Sequence, residues 1–342
     1  MVDSSEIDEY FLINPLPPLI DVRSPGEYEK GHILGATNIP LFTNEERSHV
    51  GTTYKQVCPE KAYEIGLNYV TPKLDDFIKR SEVLVTKNEP LYVHCWRGGQ
   101  RSQAFAQYLS DNGIEHVKII NGGYKAYRNF VIQQFQKDWK LNVLGGYTGS
   151  GKTHILHELE LQGEQVIDLE GLAKHKGSAF GTIKMSQQPS TEQFSNNLYN
   201  ALRQMDHNSR IWLEDESMRI GQVQIPYEFF DKMKKAPTFF IDMEKELRAE
   251  ILVGDYELDC DQELKEAIHR ITRKLGGKNA KEAIELIDSS NYKDAALICL
   301  KYYDRLYRKG LEKMQKAPFH LQLDHTDPKL NAQALLEFAA EI

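Results

Sequence analysis

A cysteine followed closely by two glycines and two arginines is the clearest sign of chemistry in this sequence. The residues after Cys95 are Trp96, Arg97, Gly98, Gly99, Gln100, Arg101 and Ser102. Glycines let a loop curve so that several backbone N–H groups point at one spot, and arginines add positive charge. Such a loop binds an oxyanion and lowers the pKa of a thiol. We therefore expect Cys95 to be a reactive thiolate near neutral pH.

A second loop has the pattern of a phosphate-binding P-loop. It matches G-x-x-x-x-G-K-[ST] without a mismatch and consists of Gly146, Tyr147, Thr148, Gly149, Ser150, Gly151, Lys152 and Thr153. In this motif backbone N–H groups surround a phosphate, the lysine neutralises its charge and the hydroxyl binds Mg²⁺. The pattern predicts a phosphate site and leaves open whether ATP or a diphosphate ester occupies it.

Two aspartates are candidates for holding that Mg²⁺. Asp168 and Asp215 each follow a short apolar run that reads as a strand, where a P-loop protein often carries its metal-binding carboxylate. Either aspartate could instead cap the N-terminus of a helix. At this point the identity of any metal is unknown.

The four cysteines are predicted to be free thiols. Cys58, Cys95, Cys260 and Cys299 lie far apart, with neither a CxxC pair nor the spacing of a zinc site. That distribution is typical of a reducing cytosol. Cys299 lies in an apolar helical pattern, so we expect it to be a core residue.

The composition predicts a cytoplasmic enzyme without a membrane segment. Of the 342 residues, 41% are hydrophobic and 27% charged, as in ordinary globular proteins. The N-terminus is acidic and lacks the basic-then-apolar order of a signal peptide. Apolar runs such as residues 237–241 are far too short to span a bilayer.

Both motifs lie within a regular alternation of strands and helices. Eight apolar runs read as strands, at 18–22, 91–94, 117–120, 141–144, 165–168, 210–213, 238–241 and 320–323. Helical patterns separate most of them, which predicts an α/β fold with mostly parallel sheets covered on both faces. The length suits two domains, which we place at 1–137 and 138–342. The second contains a helical segment at about 244–316.

Basic residues are concentrated in that helical segment. The chain carries a net charge of −8, yet residues 265–316 contain 13 lysines and arginines against 7 aspartates and glutamates, a local charge of +6. Polyanion binding could be confined to this segment, although solvated helix faces would look the same. The candidate contacts are Arg270, Arg273, Lys274, Arg305 and Arg308.

The region around the cysteine loop resembles the rhodanese family of sulfurtransferases. Two stretches precede Cys95 in the family's order, L-I-D-V-R-S-P-G-E-Y at 19–28 and G-H-I-L-G-A-T-N-I-P at 31–40. The resemblance covers about residues 1–135 and implies a cysteine that takes up a chalcogen as a persulfide and passes it on. Four polar residues of these stretches are expected to belong to the scaffold: Asp21, Arg23, Glu27 and His32.

The cysteine loop is longer than in many rhodaneses. His94-Cys95-(x5)-Arg101-Ser102 matches the H-C-x5-R-S signature of cysteine phosphatases, including the rhodanese-folded Cdc25 type. A longer loop encloses a larger anion, which suits a tetrahedral phosphate or phosphate-like group. A phosphatase function therefore stays open here.

The order of motifs along nearly the whole chain resembles the bacterial tRNA 2-selenouridine synthase family. The resemblance rests on H-C-W-R-G-G-Q-R-S at 94–102 and G-G-Y-T-G-S-G-K-T at 145–153. It continues through the stretches at 168–181 and 214–221. It implies a rhodanese-like parallel-sheet domain followed by a P-loop NTPase-like α/β domain with a helical insertion.

The resemblance also implies an activity. The family replaces the sulfur of wobble 2-thiouridine in tRNA with selenium from selenophosphate, through an S-geranyl intermediate made with geranyl diphosphate. The P-loop would then bind the geranyl donor, with Mg²⁺ as a candidate ion and no tightly bound cofactor. The Cys95 loop would bind selenophosphate, and its thiolate could carry selenium as a selenosulfide. The implied partners are tRNA, held by the basic segment, and an enzyme that supplies selenophosphate.

Two other function classes are kept as alternatives. A P-loop small-molecule kinase with a regulatory rhodanese module would turn over ATP without tRNA. A phosphatase of the kind described above would need an acid for its leaving group, and the sequence singles none out. A non-catalytic adaptor fits least well, because both loops retain their reactive residues.

Overall fold

The computed structural model describes residues 2–86, 89–256, 260–312 and 317–342, with only the backbone described for 308–311. It divides into two compact units. One comprises Met1–Phe135 with Ser195–Tyr199, and the other comprises Gln136–Phe194 with Asn200–Ile342. Each is built on a parallel sheet, which confirms the predicted α/β class.

The first unit has a five-stranded sheet in its described residues, with strand order β1-β5-β4-β2-β3 and all pairings parallel. The strands are β1 Asp3–Ser5, β2 Leu19–Asp21, β3 Thr37–Asn38, β4 Leu91–His94 and β5 Val117–Ile120. The helices are α1 Ile7–Leu12, α2 Pro25–Lys30, α3 Asn44–Gln56, α4 Pro59–Val70, α5 Leu74–Glu82, α6 Gln100–Asp111 and α7 Gly123–Phe135, with a 3₁₀ turn at Thr71–Lys73.

Strand β4 is the central strand that leads into the cysteine loop. All four of its residues are buried, as expected for a parallel strand covered on both faces. Cys95 follows its carboxyl end, and the loop runs directly into α6. The sequence therefore predicted the strand and loop correctly. It did not predict the short edge strands β1 and β3, whose polar residues carry no hydrophobic pattern.

The second unit has another five-stranded parallel sheet in its described residues, in the order β12-β11-β6-β8-β7. Its strands are β6 Leu141–Gly146, β7 Gln165–Ile167, β8 Ile211–Glu214, β11 Thr238–Met243 and β12 Phe319–Leu323, and β9 Arg219–Ile220 pairs with β10 Val223–Gln224 in a hairpin. The helices are α8 Lys152–Leu161, α9 Leu169–Ala173, α11 Tyr227–Lys235, α12 Lys245–Tyr256, α13 Asp261–Leu275, α14 Gly277–Asp288, α15 Tyr292–Leu311 and α16 Pro328–Ala340. Helix α10, Thr191–Leu202, is divided, because its residues Ser195–Tyr199 belong to the first unit and its two ends to the second.

The predicted helical segment at about 244–316 contains helices α12 to α15. Residues 257–259 and 313–316 of the segment lie outside the described residues. Apolar side chains of α13, α14 and α15 form a core of their own, which includes Ile268, Ile287 and Cys299. Cys299 is only 7% exposed, which confirms that it is a core residue.

Within the described ranges, no helix is both long enough and apolar enough to cross a membrane.

Two glycines at the start of α7 allow the backbone of this helix to pack closely against the cysteine loop. The N–H of Tyr124 donates to the carbonyl oxygen of Cys95 at 2.8 Å, and the N–H of Lys125 donates to that of Trp96 at 2.9 Å. Gly123 has a φ of +55°, and a Cβ built on it would collide with the Cys95 carbonyl oxygen. Gly122, with a φ of +66°, precedes it. Only glycine allows both this backbone conformation and this close approach.

Replacing Gly123 with alanine should destabilise the chain more than replacing Gly113. Both glycines have positive φ, +55° and +93°, which costs an alanine about 1–2 kcal/mol. Nothing lies within 4 Å of a Cβ at Gly113, so Gly113→Ala should show that backbone cost alone. Gly123→Ala adds the collision, and we expect it to lower the free energy of unfolding at least twice as much. Urea denaturation measures the free energy of unfolding of both variants. An equal decrease in the two would contradict the role of Gly123 in packing against the cysteine loop.

Candidate functional site

The thiol of Cys95 is buried at the N-terminus of α6, where neighbouring residues hold it in place. Its residue is 3% exposed, and the hydroxyl of Ser102 donates to the sulfur at 3.3 Å. Ser102 is fully buried in the first turn of α6, so its hydroxyl is held in place. Gly98 has a φ of +64°, and a Cβ there would lie 2.7 Å from the carbonyl oxygen of Ile120. Gly98 thus allows the backbone to make a tight turn beside the thiol.

The surroundings of Cys95 favour its thiolate. Burial by itself raises the pKa of the thiol, because a charged sulfur loses hydration. The hydrogen bond from Ser102, the positive charge of Arg101 and the backbone N–H groups of Arg97 and Ser102 outweigh this effect. The pKa of Cys95 is therefore lowered from its ordinary value, as the sequence motif predicted.

Arg101 and Arg97 play different parts in the loop. Arg101 donates from Nη1 to Glu27 Oε2 at 2.8 Å, so its guanidinium is fixed by a residue of α2. Burial raises the pKa of Glu27, but the ion pair with Arg101 outweighs it and the pKa is lowered. The side chain of Arg97 is exposed, as is that of Gln100, whereas Trp96 is partly buried. The fixed positive charge of the loop thus comes from Arg101.

A buried ion pair holds the carboxyl ends of β2 and β4 behind the loop. Arg23 Nη2 lies 2.6 Å from Asp21 Oδ2, and both side chains are fully buried. The same nitrogen donates to the carbonyl oxygen of Gly31 at 2.7 Å, and the Arg23 guanidinium lies over the Tyr124 ring at 3.7 Å. Asp21 also lies 3.6 Å from Nε2 of His94. This network positions the loop without reaching the thiol.

The P-loop has the backbone that its motif requires. It connects β6 to α8, and Gly149 and Gly151 have φ values of +81° and +70°. A Cβ at Gly149 would lie 2.9 Å from the carbonyl oxygen of Arg248. Lys152 donates from Nζ to the carbonyl oxygen of Gly146 at 3.2 Å, so its ammonium lies across the loop. This arrangement can receive a phosphate group.

The P-loop forms one wall of a cavity of about 620 Å³ in the second unit. That volume is typical of a small-molecule site. The cavity combines basic, acidic and aromatic side chains. They include Lys152, Lys176, Lys234, Asp168, Glu170, Asp215, Glu216, Asp255, Tyr256, Tyr303 and Tyr307.

Three glutamates lie close to the P-loop lysine. Burial raises the pKa of Glu216 to about 8, and the nearby charge of Glu170 adds to the rise against the opposing effect of Lys152. Burial likewise raises the pKa of Glu170, and it raises that of the fully buried Glu214 well above its ordinary value. At neutral pH Glu216 therefore retains its proton. A protonated carboxyl group does not repel an incoming phosphate, and it can exchange its proton for a metal ion.

Comparison with known proteins assigns the chain to a family. The family model for the tRNA 2-selenouridine synthase AAA domain matches residues 139–327, and that for the rhodanese-like domain matches residues 8–130. The chain belongs to the tRNA 2-selenouridine synthase family. The predicted resemblance is thereby confirmed.

Relatives with that name match nearly from end to end. The tRNA 2-selenouridine synthase of Shewanella frigidimarina is 35% identical, over 92% of this chain and 93% of the relative. That of Sulfurovum sp. is 33% identical over 86% and 89%, and that of Hydrogenovibrio crunogenus is 33% identical over 98% and 100%.

The two aspartates predicted from the sequence both line the P-loop cavity of this family member. Asp168 is the N-cap of α9 and accepts from the N–H of Gly171 at 2.6 Å. Asp215 accepts from Nζ of Lys234 at 2.9 Å. The carboxylate that contacts Thr153 is instead Glu170, whose Oε2 accepts from the hydroxyl at 3.3 Å. Sequence reasoning missed Glu170, although it lies only two residues beyond Asp168.

The oxygen ligands at this position suit Mg²⁺ bound together with a phosphate. Mg²⁺ commonly takes one or two carboxylates and completes its shell with substrate phosphate and water. Thr153 and Glu170 supply a hydroxyl and a carboxylate in contact with each other. In the described part of the chain, no three His, Cys, Asp or Glu side chains form a metal cage. The residues therefore fit a shared substrate–metal site better than a resident metal centre.

The basic candidates lie on two helices of the helical segment. Arg270, Arg273 and Lys274 are exposed on α13, and Arg305 is exposed on α15. Arg270 also donates to the carbonyl oxygen of Ala179 at 2.9 Å. Arg308 belongs to α15, and its side chain lies outside the described part. The described side chains are thus accessible to a large polyanion.

Replacing Ser102 with alanine should make Cys95 less reactive near neutral pH. A hydrogen bond to a charged group contributes about 1.5–3 kcal/mol, so its loss should raise the pKa of Cys95 by about 1 to 2. The measurement is the pH dependence of iodoacetamide modification, followed peptide by peptide with mass spectrometry. Cys299 is the internal control, because burial raises its pKa to about 12. An unchanged midpoint for Cys95 would show that the hydroxyl does not stabilise the thiolate.

Diphosphate binding should weaken above pH 8 through Glu216. The pKa of this group is raised to about 8, so loss of its proton above that pH adds a negative charge near Lys152. Without Mg²⁺, we expect the affinity of the wild type for inorganic diphosphate to fall on the order of tenfold relative to Glu216→Gln. Calorimetric titrations below and above pH 8 give the ratio of the wild-type affinity to the Glu216→Gln affinity. The ionisation of diphosphate itself cancels in this ratio, because both proteins bind the same ligand. A ratio independent of pH would contradict the assignment.

Proposed function

We propose that this chain makes 2-selenouridine in tRNA, replacing the sulfur of wobble 2-thiouridine (position 34) with selenium from selenophosphate. The route passes through S-geranyl-2-thiouridine formed with geranyl diphosphate. The observation that carries the proposal is that a member of this family presents two separately built anion loops, one with a lowered thiol pKa and one with a P-loop lysine. Family membership favours this function over the kinase and phosphatase alternatives.

The P-loop is assigned to the geranyl step. The thiocarbonyl sulfur attacks the carbon next to the diphosphate, the C–O bond breaks, diphosphate leaves and the base loses its N3 proton. Lys152 and the backbone N–H groups of the loop would stabilise the leaving charge. Mg²⁺ held by Thr153 and Glu170 would supply further positive charge there.

The Cys95 loop is assigned to the selenium step. Its backbone N–H groups and Arg101 would bind the phosphate oxygens of selenophosphate, as the anion-binding geometry favours. The Cys95 thiolate beside them would take part in the transfer of selenium from selenophosphate to the tRNA base. Geranylation converts the thiocarbonyl into a thioether, so geranyl thiol can leave when the selenium of selenophosphate attacks C2. Water then cleaves the P–Se bond, which releases phosphate and leaves selenium on the base.

The basic residues of α13 and α15 are assigned to the tRNA backbone. Arg270, Arg273, Lys274 and Arg305 are exposed there, and Arg308 lies on the same helix as Arg305. Reversing the charge of several of them should weaken tRNA binding and flatten its salt dependence, by a slope of about 0.9 for each lost duplex phosphate contact. Filter binding over a range of salt concentrations measures the slope. An unchanged slope in the multiple variant would place the tRNA elsewhere.

Variants of the two loops should stop the reaction at different stages. Lys152→Ala removes one electrostatic donor at the diphosphate, a change that typically costs on the order of 10²–10³ in rate. This variant should leave unmodified 2-thiouridine. Cys95→Ala keeps the P-loop and should accumulate S-geranyl-2-thiouridine.

The products are measured by mass spectrometry of nucleosides after incubation of tRNA with both donors. Cys58→Ala is the matched control, since it removes a free thiol outside the cysteine loop and outside both cavities of the second unit, and it should still yield 2-selenouridine. Geranylated nucleoside from the Lys152 variant and plain 2-thiouridine from the Cys95 variant would reverse the assignment.

A further inference from the structure

An apolar cavity of about 330 Å³ adjoins the P-loop cavity in the second unit. Its walls come from helices α12 to α15, from Ser178 and Phe180, and from Thr148 of the P-loop. Five residues line both cavities: Thr148, Ser178, Leu252, Tyr256 and Tyr303. The two cavities therefore lie directly beside each other at these residues.

The lining of this cavity is almost entirely hydrocarbon and aromatic. In the described lining the charged side chain is Asp261, and its carboxylate accepts a hydrogen bond from the Tyr292 hydroxyl at 2.9 Å. Packed protein interiors contain few voids larger than a water molecule, whereas small-molecule sites begin at about 300 Å³. An apolar cavity of this size beside a phosphate site suits an amphiphilic phosphate ester.

We propose that this cavity holds the hydrocarbon tail of the diphosphate bound at the P-loop, and that helices α13 to α15 limit the tail's length. The assignment rests on the proposed function, because it identifies the ligand as an acyclic isoprenyl diphosphate. We define the far wall of the apolar cavity by Ile268, Ile287 and Ala295, which line this cavity and do not line the P-loop cavity. Each is buried and comes from a different helix.

Aromatic rings surround the junction of the two cavities. Phe180 lies 6.3 Å from both Tyr256 and Tyr303, between ring centroids. The hydroxyl of Tyr303 accepts from the N–H of Ala179 at 3.2 Å, which fixes that ring. The carbon bonded to the diphosphate would lie at this junction, and positive charge develops on an allylic carbon as its C–O bond breaks. Ring faces attract such charge, so the junction suits an allylic ligand.

The test measures binding of a series of diphosphates to the full chain by calorimetry. The series is inorganic diphosphate, then dimethylallyl, geranyl and farnesyl diphosphate. Each buried methylene should strengthen binding about fourfold until the cavity is filled. Ala295→Phe fills the far wall and should weaken geranyl diphosphate on the order of 10²-fold while leaving inorganic diphosphate unchanged. Ile287→Ala opens the wall and should improve binding of farnesyl diphosphate relative to geranyl diphosphate.

Two further variants keep the test decisive. Leu297→Phe adds the same ring on α15 at a position outside the lining, and it should leave the whole series unchanged. Ala296 also lines the cavity and is only partly buried, so Ala296→Leu replaces Ala295→Phe if that variant does not fold. Unchanged affinity for inorganic diphosphate shows in each case that the P-loop is intact.

The outcomes separate this inference from the proposed function. If the wild type forms S-geranyl-2-thiouridine but the cavity variants keep the wild-type ratio of geranyl to inorganic diphosphate affinity, the tail binds elsewhere and the inference is overturned. If the variants change that ratio as expected but no geranylated nucleoside forms, the cavity assignment stands and the proposed function fails.

Discussion

Both candidate sites depend on one constraint of parallel α/β sheets. A chain that leaves the carboxyl end of an interior strand must turn within a few residues to enter the next helix, which leaves backbone N–H groups pointing outward at the helix N-terminus. The loop after β4 and the loop after β6 both make this turn, and glycines with positive φ make it possible in each. The chain therefore contains this strand–loop–helix arrangement twice, once beside a thiol and once beside a lysine.

The side chains around the two loops differ, and they suit each loop to a different chemistry. At Cys95, the Ser102 hydroxyl and the Arg101 charge outweigh the cost of burial and favour the thiolate. At the P-loop, burial raises the pKa values of Glu170 and Glu216, and that of Glu216 reaches about 8, so Glu216 retains its proton near Lys152 at neutral pH. The first arrangement suits a nucleophile, and the second suits the binding and release of a charged leaving group.

The sequence predicted what local patterns encode. The apolar runs of β4 and β6 and the glycine spacing of both loops are continuous in the chain, so the α/β class and the two motifs could be predicted. The contact between Gly123 and Cys95, the proximity of Glu216 to Lys152 and the apolar cavity could not be. They join residues far apart in the sequence, and only the packed fold brings them together. The sequence allowed Asp168 to be a helix cap, which it is at α9, but it gave no sign that Glu170 contacts Thr153.

The composition of wobble nucleosides in cells tests most directly whether this chain makes 2-selenouridine. Bulk tRNA would be digested and analysed by mass spectrometry from a strain lacking the gene, and from the same strain expressing the wild-type chain. We expect 2-selenouridine only in the strain that expresses the chain, with 2-thiouridine retained in the strain that lacks it. Equal amounts of 2-selenouridine in both strains would contradict the proposed function.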